Sequence, residues 1–136
     1  MKSIEMFIMC DQIPKGTAQM KRANFKNGTF FEGKDLKEAR AFYMDSMAEF
    51  APEMPIDGPI GVDVIFYYSI KDKRKKGTWK ASRPDCDNLV KLLLDCMTKL
   101  NFWHDDAQIA RLIISKKYSH AEFAGISIFV KELEVS

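Results

Sequence analysis

Cysteine is scarce in this chain: Cys10, Cys86 and Cys96 are the three among 136 residues, and none stands in C-x-x-C spacing. An odd number so placed argues against both a disulfide framework and a zinc site. Cys86 and Cys96 flank a predicted helix and read as small buried residues. Histidine is scarcer still. His104 and His120 are too few and too far apart for an H-E-x-x-H site, and His104, beside Asp105, reads as a solvent-facing turn residue. No apolar run approaches the length that crosses a membrane. The stretch from Ile4 to Asp11 alternates and carries Glu5 where a signal peptide is continuously apolar, so the expectation is an intracellular, cytoplasmic protein. Internal repeats, low-complexity tracts and linkers are also missing.

What remains is the composition of an ordinary globular protein, 46% hydrophobic and 29% charged, in a length that suits one domain over 1–136. Residues 4–10 alternate as a strand does. Residues 14–33, with Pro14, Gly16, Gly28 and Gly33, read as a long loop or small hairpin. From about Asp35, the spacing of Leu36, Ala39, Phe42, Tyr43, Met47 and Phe50 predicts an amphipathic helix that Pro52 and Pro55 end. Ile60–Tyr68 is rich in β-branched and aromatic residues and predicts a strand. A second helix is expected from about Asp87 to Leu100, with Leu89, Leu92, Leu93, Cys96, Met97 and Leu100 inward. Two strands follow, at roughly 107–118 and 123–132. The order β-α-β-α-β-β predicts an α+β domain, a small sheet with two main helices packed on it.

The net charge of +2 says little about partners, but its distribution says more. Lys71, Lys73, Arg74, Lys75, Lys76, Lys80 and Arg83 stand against a single acid, Asp72, and a second basic group comprises Lys15, Lys21, Arg22 and Lys26. An isolated basic run is most simply a solvated loop. Here one run leads straight into a cluster of acids, which favours guidance of phosphates.

That cluster is Arg83-Pro84-Asp85-Cys86-Asp87-Asn88-Leu89-Val90-Lys91, then Asp95, then Asp105-Asp106-Ala107-Gln108. Its five acids are all aspartate, and they fall among some of the most apolar residues of the chain. Carboxylates gathered on a buried scaffold repel one another and lose hydration, so they call for a cation. Oxygen-only ligation beside a lysine points to a hard ion such as Mg²⁺ and to phosphate chemistry. On a helix, Asp87, Lys91 and Asp95 share one polar stripe opposite the leucines. Taken singly, Asp87 is explained as a helix cap, and Lys91 with Asp95 as a surface ion pair. Neither role accounts for a further aspartate pair after the same helix, with Phe102-Trp103 beside it. An EF-hand begun at Asp85 fails at Leu89, Val90 and Cys96, where it needs an oxygen ligand, glycine and glutamate. An aspartyl-phosphate enzyme also uses Asp-x-Asp, but after a buried strand rather than after Lys80-Ala81-Ser82-Arg83-Pro84.

The pattern Asp-x-Asp-Asn-Leu-x-Lys-x-x-x-Asp, nine residues, then Asp-Asp-Ala-Gln resembles the RusA-type Holliday junction resolvases. The resemblance is close over residues 83–109 and loose elsewhere, where Pro14-Lys15-Gly16 and the basic loop look family-like. It implies a small mixed sheet, a homodimer, and paired symmetric nicks in a four-way DNA junction during recombination and repair, in a family with many phage and prophage members. It also implies that Asp85, Asp87 and Asp106 are catalytic and bind metal, that Lys91 is the catalytic lysine, and that Asn88, Asp95 and Asp105 support them. Mg²⁺, with Mn²⁺ as the expected substitute, is the expected cofactor, with no organic cofactor and no membrane partner. Lys15, Lys21, Arg22, Lys73, Arg74, Lys75, Lys76 and Arg83 are the expected DNA contacts. The rival functions are a junction-binding module without catalysis and a flap or single-strand nuclease on the same fold.

Overall fold

A computed structural model describes residues 2–15, 21–24 and 29–134 of the chain, with the backbone alone at 21–24 and 29–32. The side chains of Lys21 and Arg22, expected at DNA, therefore lie outside the described parts, as do Gly16 and Lys26. The elements run β1 (Ser3–Cys10), β2 (Lys21–Asn24), β3 (Thr29–Glu32), α1 (Lys34–Met47), β4 (Ile60–Tyr68), α2 (Cys86–Lys99), β5 (Ile109–Tyr118) and β6 (Ala124–Glu132). β2 and β3 form an antiparallel pair, the small hairpin expected within 14–33. The other four strands make one mixed sheet in the order β1-β6-β4-β5. Only β4 and β5 are parallel, and parallel neighbours need a long crossover. That crossover contains α2.

Alternation sorts each strand between two faces. Met6, Ile8, Val62, Val64, Phe66, Ile126, Ile128 and Val130 point to the side covered by the helices and are buried. Phe7 and Phe129 point the other way and remain partly exposed, Phe7 lying across Gly125, where a β-carbon would run into its ring. The helix α1 buries Leu36, Ala39, Tyr43 and Met47, then tightens into a 3₁₀ turn at Ala48–Phe50 before Pro52. Its predicted inward residues Phe42 and Phe50 are half-buried at the rim of the core.

The sequence of α2 dictates its role. Apolar residues at three- and four-residue spacing bury Leu89, Val90, Leu92, Leu93, Leu94, Cys96 and Met97. Each fully buried leucine contributes roughly 1.5–3 kcal/mol, so this face anchors the helix firmly. The helix begins at Cys86, one residue before the expected start, because Asp85 is already extended (φ −72°, ψ 145°). It ends where Asn101 takes a left-handed φ of 63°, a conformation Asn tolerates. The turn bonds Asn101 N–H to Thr98 O and Phe102 N–H to Met97 O, and swings Phe102 and Trp103 into the core. Trp103 Nε1 donates to Thr98 Oγ1 at 2.8 Å, so its burial leaves no polar atom unmet. Cys96 is buried as expected, whereas Cys86 is only half-buried, since the first turn of α2 projects from the core. Among the described residues, no helix is long and apolar enough to cross a membrane.

Candidate active site

Helix α2 presents Asp87, Lys91 and Asp95 on its polar side, with Asp87 and Lys91 exposed and Asp95 half-buried. Asp85 occupies the N-cap position, where aspartate normally accepts a backbone hydrogen bond, yet its side chain makes no such bond. The helix cap belongs to Asp85 in position but not in chemistry, and its carboxylate is left for another partner. Asp87 lies in the first turn, so the cap role considered for it does not arise. Nor do ion pairs appear between Lys91 and Asp87 or Asp95 among the described residues, despite their four-residue spacing. The stripe is held uncompensated.

The second acidic group is built differently. Asp105 caps a 3₁₀ turn at Asp106–Gln108 by accepting Ala107 N–H at 2.8 Å. Gln108 closes the turn from the other side: its Oε1 accepts from His104 N–H at 2.7 Å and Asp105 N–H at 3.0 Å. Its Nε2 donates to Ile56 O at 2.8 Å and Gly58 O at 2.9 Å, tying the turn to the segment before β4. Gln108 was visible in the sequence only as a motif position. Its role follows from the Asp-x-x-Gln spacing, the signature of a reciprocal cap.

Electrostatics separate the two members of this pair. Asp106 is held above the usual carboxylate range, first by its hydrogen bond to Asp105, then by partial loss of water and by the charges of Asp105 and Asp95. Asp105 moves the opposite way, chiefly because Ala107 N–H favours its ionised form. Two adjacent carboxyl groups repel one another when both are ionised, and a nearby cation relieves that repulsion. With Asp95 they line an open depression of about 440 Å³, bordered also by Arg40, Thr98, Lys99 and His104. His104 Nε2 lies 2.6 Å from Asp57 Oδ1 at the surface, in keeping with a turn residue.

The acids therefore form two groups rather than one. Asp87 and Asp95 are eight residues apart, about 12 Å along a helix, and the whole of α2 spans about 21 Å. A second ruler agrees. Asp85 follows a loop held near the C-terminal end of β5, whereas Asp106 leads into the N-terminal end of that strand, roughly 23 Å away at 3.3 Å per residue from Ile109 to Lys116. Within one chain, Asp106 is close to Asp95 and Asp105 but remote from Asp85 and Asp87. Among the described residues, no group of three or more His, Cys, Asp or Glu side chains is placed to hold a metal. The acids are also better hydrated than the apolar context of the motif suggests: Asp85, Asp87, Asp105 and Asp106 are all exposed. Asn88 is half-buried in the first turn of α2, between Asp87 and the core-facing Leu89.

The basic loop divides as well. Lys71, Lys73, Lys75 and Arg83 are exposed, as is Lys15 beyond β1. Arg74 is bound to Asp72 through its side chain at 3.2 and 3.3 Å, and its guanidinium, with its backbone N–H, holds the Asp72 carboxyl below the usual range. Lys76 Nζ is 2.8 Å from Glu122 Oε1 and its side chain is mostly buried. Lys80 lies over the rings of Tyr68 and Tyr118. Lys76 and Lys80 thus shape the loop, and the exposed cations, Arg74 among them despite its bond to Asp72, face outward from it.

Comparison with known proteins places this geometry. The family model described as endodeoxyribonuclease RusA matches residues 12–131. A protein of Lactococcus phage r1t named crossover junction endodeoxyribonuclease rusA is 50% identical over 58 residues, 43% of this chain and 44% of that protein. The alignment thus spans less than half the length of that relative. The family match includes both acidic groups, the basic loop and the strands β4, β5 and β6 of the mixed sheet up to residue 131, and begins after β1. The chain belongs to the RusA endodeoxyribonuclease family.

Proposed function

We propose that this chain is a Mg²⁺-dependent endonuclease that nicks branched DNA, with the four-way junction as substrate and a two-fold dimer as the active form. One observation carries the reading: Asp85 stands at a helix N-cap without capping, beside an exposed Asp87 and an unpaired Lys91 on the same stripe. Carboxylates left in this state suit a hard cation, and Mg²⁺ takes only one or two of them besides water and phosphate oxygens. Asp85 and Asp87 fit that demand. Bound there, Mg²⁺ would neutralise charge on the scissile phosphate and lower the pKa of a bound water.

The protein's own groups do the rest. Lys91, one turn beyond Asp87, projects toward the same phosphate and stabilises charge that grows on its oxygens. Asn88 offers a neutral hydrogen-bonding group beside Asp87. Lys71, Lys73, Lys75 and Arg83 hold flanking backbone, where contacts position DNA without reading its sequence. Asp106 completes the acidic set from a second copy of the chain. A two-fold axis passing near Lys91 runs α2 antiparallel to its copy, so that the Asp85–Asp87 end of one helix meets the Asp95–Asp106 end of the other. The same operation supplies two sites, which a junction with two-fold symmetry requires. The name of the phage relative, a crossover junction endodeoxyribonuclease, supports the same substrate.

The test is a panel of synthetic four-way junctions, flaps, duplexes and single strands, each with Mg²⁺ and with EDTA. The reading expects paired nicks in the junction with Mg²⁺ and none under chelation. Preferential cutting of flaps or single strands would transfer the activity to another nuclease class, and binding without cutting would make the chain a junction-binding module.

A further inference from the structure

Asp85 is only as well placed as the loop that delivers it. From Gly77 to Lys80 that loop pairs with the open edge of β5: Gly77 N–H donates to Tyr118 O, Tyr118 N–H to Thr78 O and Lys80 N–H to Lys116 O, each at 2.9 Å. From Ala81 to Pro84 the backbone departs from β5, and among the described residues no backbone–backbone hydrogen bond holds it. Pro84 has no N–H to offer. The four residues before the metal-binding aspartate would then be the loosest part of the site.

Lys116 fills this gap. Its side chain leaves β5 on the helix-covered face, in register with the fully buried Phe66. Its Nζ donates to Ser82 O at 2.6 Å and Pro84 O at 2.7 Å. Bonds from an ammonium are short and about twice as strong as neutral ones. Lys80 braces the same point, with Nζ 2.6 Å from Ser82 Oγ. The Pro84 carbonyl belongs to the peptide plane that contains the Asp85 nitrogen, so fixing it fixes the entry of the chain into Asp85.

We propose that Lys116 is a positioning residue for the nuclease site: by clamping the Ser82 and Pro84 carbonyls, it sets the direction of the Asp85 carboxylate without touching DNA or metal. The inference rests on the assignment of Asp85 to the cation and deepens it. Groups that orient metal ligands from behind cost roughly 10–100-fold in metal affinity or activity when removed.

The experiment uses the full chain, with Lys116→Met, which keeps the apolar stem, and Lys116→Arg, which restores a cationic donor. Measured are kcat and KM on a synthetic four-way junction with Mg²⁺, junction affinity in EDTA, Tm, and amide exchange across residues 81–92. For Lys116→Met, kcat should fall about 10–100-fold, while KM and junction affinity stay within about twofold. Exchange at 89–92, the first hydrogen-bonded amides of α2, should quicken, and Lys116→Arg should recover part of the rate. A rate within twofold of wild type overturns the inference, as does loss of rate and Tm together without recovery in Lys116→Arg. If Lys116→Met does not fold, Lys116→Gln, whose neutral amide sits one bond closer to the backbone and so loses the ammonium's reach to the two carbonyls, carries the same comparison. A wild-type chain that cuts no branched DNA refutes the nuclease assignment instead. The clamp is then decided by exchange alone, and unchanged protection in Lys116→Met at 89–92, whose amides close the first turn of α2 from Leu89 N–H to Asp85 O onward, overturns it.

Discussion

Replacing Gln108 with alanine removes four hydrogen bonds at once: two that it accepts from His104 and Asp105, and two that it donates to Ile56 and Gly58. A typical intramolecular hydrogen bond contributes about 0.5–1.5 kcal/mol net. Three of these four lie at the exposed surface, where water replaces them in part, so the total loss should be near 2 kcal/mol rather than the sum of the upper values. For a chain of this size that is a fall in Tm of roughly 6–10 °C. The functional effect should be larger than stability explains, because the same bonds hold the turn that carries Asp105 and Asp106. Cleavage under folded conditions should drop at least about tenfold. Gln108→Glu separates the parts. It keeps acceptors for the two backbone N–H groups but loses both donations and adds a charge near Asp106, so it should restore little of the rate. Thermal denaturation and junction cleavage, measured on the same preparations, make the comparison. A Gln108→Ala chain within about 1 °C and twofold of wild type would refute the assignment of this side chain as the keystone of the turn.

Asp87→Asn should reduce cutting by at least about 10²-fold while junction affinity in EDTA is kept or tightened, since one negative charge fewer faces the phosphates; a fully active variant would reduce Asp87 to a first-turn acid. Replacing Lys73, Lys75 and Arg83 together with alanine should flatten the dependence of log Kd on log salt by about two to three units, with Tm nearly unchanged; an unaltered slope would make the loop a solvated surface. Gly77→Ala should destabilise by at least about 1 kcal/mol, because φ is +80° there and a β-carbon would run into the His120 ring. Unchanged denaturant stability would contradict that conformation.

Faces were more legible in this sequence than neighbours. The apolar spacing of Leu89, Leu92, Leu93, Cys96 and Met97 locates α2 and its buried side, and alternation locates β1, whose Met6 and Ile8 the structure turns inward. Period alone does not say which strand pairs with which, so the insertion of β6 between β1 and β4, and the parallel β4–β5 pair, came only from the structure. The start of β5 expected near 107 falls two residues early because the reciprocal cap of Asp105 and Gln108 turns 106–108 into a 3₁₀ turn. The acids were found by residue type and spacing, but their separation was not. A stripe of positions four apart shares a face while advancing about 6 Å per step, and two such steps carry Asp95 away from Asp87. Lys116 escaped notice because a lysine within a strand gives no sign in sequence that its ammonium ends on two carbonyls.

The most direct measurement mixes two inactive chains. Asp87→Asn and Asp106→Asn are purified separately, each checked for loss of cutting, then combined so that subunits exchange, and assayed on a four-way junction. If each site takes Asp85 and Asp87 from one chain and Asp106 from the other, a mixed dimer holds one site with both defects and one with none. Cutting should then return as single nicks, at one of the two sites of each mixed dimer. If all three aspartates act within one chain, every site in the mixture is defective. Mixtures that exchange subunits but cut no better than either parent would contradict the shared site.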